Sequence, residues 1–71
     1  MRAEDLRLLL ERVPCPLVRL HLTGGRTFDL QDPDLIVIGR STVEFLIPGE
    51  KDREVVLSLL HIIWVEVISA P

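Results

Sequence analysis

The sequence predicts a mainly β domain in which a short N-terminal helix precedes five strongly bent strands that close into a small barrel. Three observations carry this expectation. Apolar residues recur at helical spacing only before Pro14, with Leu6, Leu9, Leu10 and Val13 at i, i+3, i+4 and i+7. Beyond Pro16 the period changes to two and stays there to the end of the chain. A chain of 71 residues has room for one domain, spanning residues 1–71.

The helix is expected from Ala3 to Val13. Glu4 and Asp5 stand in its first turn, where the peptide dipoles favour a negative charge. Pro14 ends it, because the proline ring disfavours helical geometry at Val13. A helix this short is marginal alone, so its leucine stripe must pack on the rest of the chain. Leu8 lies off that stripe.

The barrel is expected from Leu17 to Ile68. In the first strand Val18, Leu20 and Leu22 alternate with Arg19, His21 and Thr23, and in the second Phe28 and Leu30 alternate with Thr27, Asp29 and Gln31. A two-residue turn at Gly24-Gly25 would oppose Leu20 to Asp29 and mix the two faces. A three-residue loop, Thr23-Gly24-Gly25, opposes Leu20 to Phe28, Val18 to Leu30 and Arg19 to Asp29, and a one-residue slip would flip every side chain. The expected turn is type I plus a bulge, with Gly25 left-handed.

Asp32-Pro33-Asp34 bends the second strand, which continues as the apolar run Leu35 to Ile38. Gly39-Arg40-Ser41 is a turn. Val43, Phe45 and Ile47 alternate with Thr42, Glu44 and Leu46 in a third strand. Pro48 to Asp52 is a polar hairpin loop. Val55, Leu57 and Leu59 form the inner face of a fourth strand, His61 lies at a corner, and Ile63, Val65 and Val67 form the inner face of a fifth. Five bent strands behind a helix predict an SH3-type barrel.

This layout resembles the Sm-like family, whose members have an N-terminal helix, a long bent second strand and a one-turn corner between the last two strands. Here the bend is Asp32-Pro33-Asp34 and the corner Leu60-His61. Leu22-Thr23-Gly24-Gly25-Arg26 resembles the family's strand–glycine–strand opening, and Ser58 to Ile63 resembles the corner of its bacterial RNA-chaperone branch, with Leu60 where that branch has lysine. The resemblance implies the barrel, assembly into a ring, and RNA contact through Arg40 and His61 near the ring opening. Pro16 to Phe28 also resembles short uncharacterised bacterial proteins, a likeness that carries no function.

Composition narrows the function. The apolar fraction is 48% and the mean hydropathy +0.35, too hydrophobic for a disordered tail. Apolar runs are short, so no membrane span is expected. The start Met1-Arg2-Ala3-Glu4-Asp5 lacks the layout of a secretory signal, and a lone cysteine makes no internal disulfide; the cytoplasm is the expected compartment. Net charge is −3, against the cationic balance of a non-specific nucleic-acid binder.

His21, His61 and Cys15 do not fall at metal-ligand spacing, and the expectation for them is an exposed strand histidine, a corner histidine and a packed thiol. Asp29, Asp32 and Asp34 lack the ligand order of a calcium loop and suit a turn around Pro33. No nucleophile elbow, phosphate loop or dinucleotide fingerprint occurs. The expectation is no enzyme, no cofactor, no metal and no small-molecule substrate.

The strongest signal is apolar residues expected to point outward: Ile62, Trp64 and Ile68 on the last strand, with Leu46 and Val56 on its predecessors. Such a patch and an edge strand invite a second copy. The alternative is that the N-terminal helix covers this face. The expected function is a non-catalytic, self-associating scaffold or interaction module with Leu46, Val56, Ile62, Trp64 and Ile68 at the subunit interface. The second reading is an RNA-binding ring protein using Arg40 and His61.

Overall fold

A computed structural model describes residues 1–47, 49–50 and 53–69, with the backbone alone considered at Ser69. Helix α1 runs Ala3–Leu10. Strands follow at Leu17–Leu22 (β1), Thr27–Leu30 (β2), Ile36–Ile38 (β3), Thr42–Leu46 (β4), Glu54–Ser58 (β5) and Ile62–Ser69 (β6). Single 3₁₀ turns at Pro33–Leu35 and Leu59–His61 separate β2 from β3 and β5 from β6.

The mainly β class with one N-terminal helix is thus observed, but with six strands in two three-stranded sheets, ordered β2-β1-β6 and β3-β4-β5. The expected long second strand is broken. Pro33 has no N–H to give a ladder, and the Asp32 carboxylate accepts from the Asp34 N–H at 3.0 Å, closing a local turn. The expected single five-stranded ladder is therefore absent among the described residues.

The helix is three residues shorter than expected. Its last turn closes with the Glu11 N–H on the Arg7 carbonyl at 2.9 Å. Val13, which precedes Pro14 and is kept from helical geometry, is 95% exposed rather than packed. Leu6 and Leu10 are buried, in one cluster with Val18, Leu20, Leu22, Leu30, Val43, Phe45, Leu59 and Ile62. The core thus takes side chains from both sheets and from the helix. The Met1 ammonium donates to the Leu59 carbonyl at 3.1 Å and ties the chain start to the second 3₁₀ turn.

The β1–β2 register is the expected one: Leu20 pairs Phe28, Val18 pairs Leu30 and Arg19 pairs Asp29. The turn type differs. The Gly25 N–H donates to the Leu22 carbonyl at 3.1 Å, and Gly24 as well as Gly25 has positive φ, +90° and +88°. A positive φ at the third residue of the turn excludes type I. Of the expected polar hairpin after β4, Pro48, Lys51 and Asp52 lie outside the described residues.

The last strand departs most. Leu22 pairs Ile62 while His21 pairs Trp64, so Ile63 is an extra residue in the strand. This bulge turns Ile62 inward, where it is 4% exposed, and leaves Ile63 64% exposed. Ile62 therefore belongs to the core and not to the outer face. Val67, also expected inside, is exposed beside a second irregularity, where Leu17 pairs Ser69 and Val18 pairs Val67.

Both turn glycines sit where a side chain strains the backbone. Gly24→Ala and Gly25→Ala are each expected to lower stability by about 1 kcal/mol, read as a shift of the urea midpoint.

Candidate functional site

The candidate site is built on the outer face and free edge of the β2-β1-β6 sheet. Strand alternation points Arg19 and His21 of β1 away from the core, because Val18, Leu20 and Leu22 point into it. The ladders then align two rows across the sheet. Asp29, Arg19 and Glu66 form one, and Thr27, His21 and Trp64 the other.

Arg19 grips Asp29 with two hydrogen bonds, Nε to Oδ1 at 2.7 Å and NH2 to Oδ2 at 3.1 Å. That fork holds the Asp29 carboxyl below the usual carboxylate range, first through the Arg19 hydrogen bond, and holds the Arg19 guanidinium more firmly charged. The His21 ring lies flat on the Trp64 indole, with centroids 3.7 Å apart and planes within 8°. Its Nε2 is 3.0 Å from Glu66 Oε1, across the sheet diagonal. The imidazole thereby covers one face of the indole, and Trp64 remains 51% exposed.

β6 is paired on one side only, with β1, and β5 on one side only, with β4. Each therefore leaves a row of backbone N–H and C=O groups free for another strand. On β6, Ile63, Trp64, Val67 and Ile68 are exposed; on the outer face of the other sheet, Val37, Leu46 and Val56 are. Leu46, Val56, Trp64 and Ile68 thus lie at the surface, and Ile62 does not. The helix does not cover this face, since Leu6 and Leu10 are used in the core. Glu44 lies between Val37 and Val56 across the ladder, and Glu54 opposite Leu46. No cation among the described residues is within ion-pair distance of either glutamate.

Arg40 and His61 come to one end of the molecule. The Leu59 N–H donates to the Ser41 carbonyl at 2.8 Å, and the Thr23 N–H to the His61 carbonyl at 2.9 Å. The Arg40 turn, the His61 corner and the β1–β2 turn are therefore neighbours, with Leu60 87% exposed beside them. Thr23 Oγ1 also lies 3.3 Å from His61 Nδ1.

Chemistry of other kinds finds little support. Burial, with Asp32 adding to it, pushes the Cys15 thiol up, which disfavours the nucleophilic thiolate. Asp29 is committed to Arg19 and Asp32 to the turn. No group of three or more potential metal ligands occurs among the described residues. No helix there is long and apolar enough to cross a membrane.

Sequence reasoning missed the His21–Trp64–Glu66 cluster. All three residues alternate outward in their own strands, but 43 residues separate His21 from Trp64. Only the pairing of the first strand with the last brings them together, and no local pattern announces that pairing.

The Arg19–Asp29 fork makes its contribution when Asp29 is ionised. Because the folded carboxyl is held below its unfolded value, that contribution is complete above about pH 4 and is lost as pH falls through the folded value. Asp29→Asn is therefore expected to lower the urea midpoint at pH 7 and leave it unchanged at pH 2. No protein-family model, no curated protein and no solved structure matches this chain.

Proposed function

We propose that the chain is a non-catalytic, self-associating interaction module whose two sheets are the halves of an SH3-type, Sm-like barrel. The observation that carries this reading is the unpaired β6 edge with Trp64 and Ile68 exposed along it. A hydrophobic strand edge left in water is a pairing site, and a small domain gains stability by using it.

The second free edge, β5, supplies the natural complement. Antiparallel docking of β6 on β5 of the next copy, the direction of all the ladders described, joins the two outer faces. Setting Trp64 against Val56 of the partner subunit brings two large exposed apolar side chains together and leaves Val65 facing the inner side with Val55 of the partner subunit. Because the two edges differ, the contact is head-to-tail, and repetition closes into a ring. A lone, half-buried thiol suits the reducing cytoplasm.

The wild-type chain is expected to exceed its monomer mass of 8.1 kDa severalfold by light scattering at micromolar concentration. Trp64→Glu, which removes the central aromatic anchor, is expected to raise the dissociation constant at least about thirtyfold. A monomeric wild type overturns the reading.

RNA binding is the second reading, favoured by the shared position of the Arg40 turn and His61 at one end of the molecule. Repeated around a ring, these cations would collect on one rim. Labelled oligonucleotides are then expected to bind with an affinity that falls as salt rises, and Arg40→Ala to weaken that binding and flatten its salt dependence. Absence of salt-sensitive binding removes this reading.

A further inference from the structure

We propose that self-association of this chain tightens on mild acidification, with the His21–Trp64–Glu66 cluster as the proton-sensitive element of the subunit contact. The inference rests on the self-association reading and deepens it.

Two features of the outer faces conflict at neutral pH. The docking that sets Trp64 against Val56 of the partner subunit also sets Glu66, two residues further on, against Glu54 of the partner subunit, two residues back in the antiparallel strand. Glu44 of the partner subunit lies in the next strand, opposite its Val56. Apolar matching thus assembles a group of carboxylates. Like charges directly opposite each other across a ladder are destabilising.

The charged groups around His21 show where relief can come from. Glu66 faces it from β6 at 3.0 Å, Asp29 stands diagonally on β2, and Arg19 is two residues away on β1. The Arg19 charge is committed to Asp29 through the fork. Thr27 and Trp64, the direct neighbours of His21 in its row, are uncharged. His21 is therefore the group on this face that can acquire a positive charge next to Glu66. Imidazoles do so on the acid side of neutrality, while glutamates are still ionised.

A proton on His21 acts twice. It turns the Nε2 contact to Glu66 into an ion pair, so the partner's glutamates meet a neutralised carboxylate. It also places a cation on the indole face, which holds Trp64 in the flat, half-covered position from which its free side meets Val56 of the partner subunit. Because association brings further carboxylates near His21, the assembled state holds that proton more tightly. By linkage, lower pH then favours assembly.

The test is sedimentation of the full chain at pH 7 and pH 5.5, with the fluorescence of Trp64, the single tryptophan, followed over the same range. The dissociation constant of the wild type is expected to fall about three- to fivefold per contact on acidification, the effect of one exposed charge pair. His21→Gln is expected to remove both this change and the fluorescence transition. His61→Gln, a control for the other histidine, is expected to keep both. Glu66→Gln is expected to associate at pH 7 about as tightly as the wild type does at pH 5.5. A wild type that assembles equally at both pH values, or a His21→Gln variant that keeps the pH response, overturns the inference and leaves self-association standing. A wild type that stays monomeric at both values overturns both.

Discussion

The arrangement of this molecule depends on β1 being a strand with neighbours on both sides. Val18, Leu20 and Leu22 are buried on its inner side, while its backbone bonds β2 on one edge and β6 on the other. The β1–β2 contact is local and set by a three-residue loop. The β1–β6 contact closes the chain from its first strand to its last, and it aligns everything that faces outward on that sheet. The fork between Arg19 and Asp29, the stack of His21 on Trp64 and the Glu66 contact are all consequences of those two registers.

A core divided between two small sheets explains why the helix is where it is. Three-stranded sheets of short strands enclose little volume, and Leu6 and Leu10 complete the cluster that Val43, Phe45 and Leu59 share with β1. A helix employed in this way has no leucine stripe left for the outer sheet face. The apolar residues of β5 and β6 therefore remain at the surface, on strands that each retain a free hydrogen-bonding edge. In a chain of this size, the same shortage of interior that recruits the helix makes a second copy a useful neighbour.

Much of the local structure was legible in the residues. The outward side chains of β1 and β2 and the pairing of Arg19 with Asp29 followed from alternation and from one choice of loop length. Asp32-Pro33-Asp34 announced an interruption, although a bend was expected where a 3₁₀ turn divides the strand. Period-two reasoning failed in the last strand, because it assumes an unbroken pleat. One extra residue at Ile63 reverses the phase at that end, so Ile62 is taken into the core and Ile63 is exposed. The candidate site suffered likewise. Trp64 was legible as an outward aromatic, but its imidazole cover and the Glu66 partner were not.

By itself, then, the sequence determined what is local: one short helix, strands of alternating character, the turns at Gly24-Gly25 and Pro33, and an excess of apolar side chains over what one small core can hold. Tertiary structure alone decided which strands meet, where the bulges fall and which of the extra apolar residues stay outside. The physical reason is range. Alternation and turn chemistry act over a few residues. The pairing of residues some forty positions apart is instead chosen by the packing of the whole core, and with it the chemistry of the outer face.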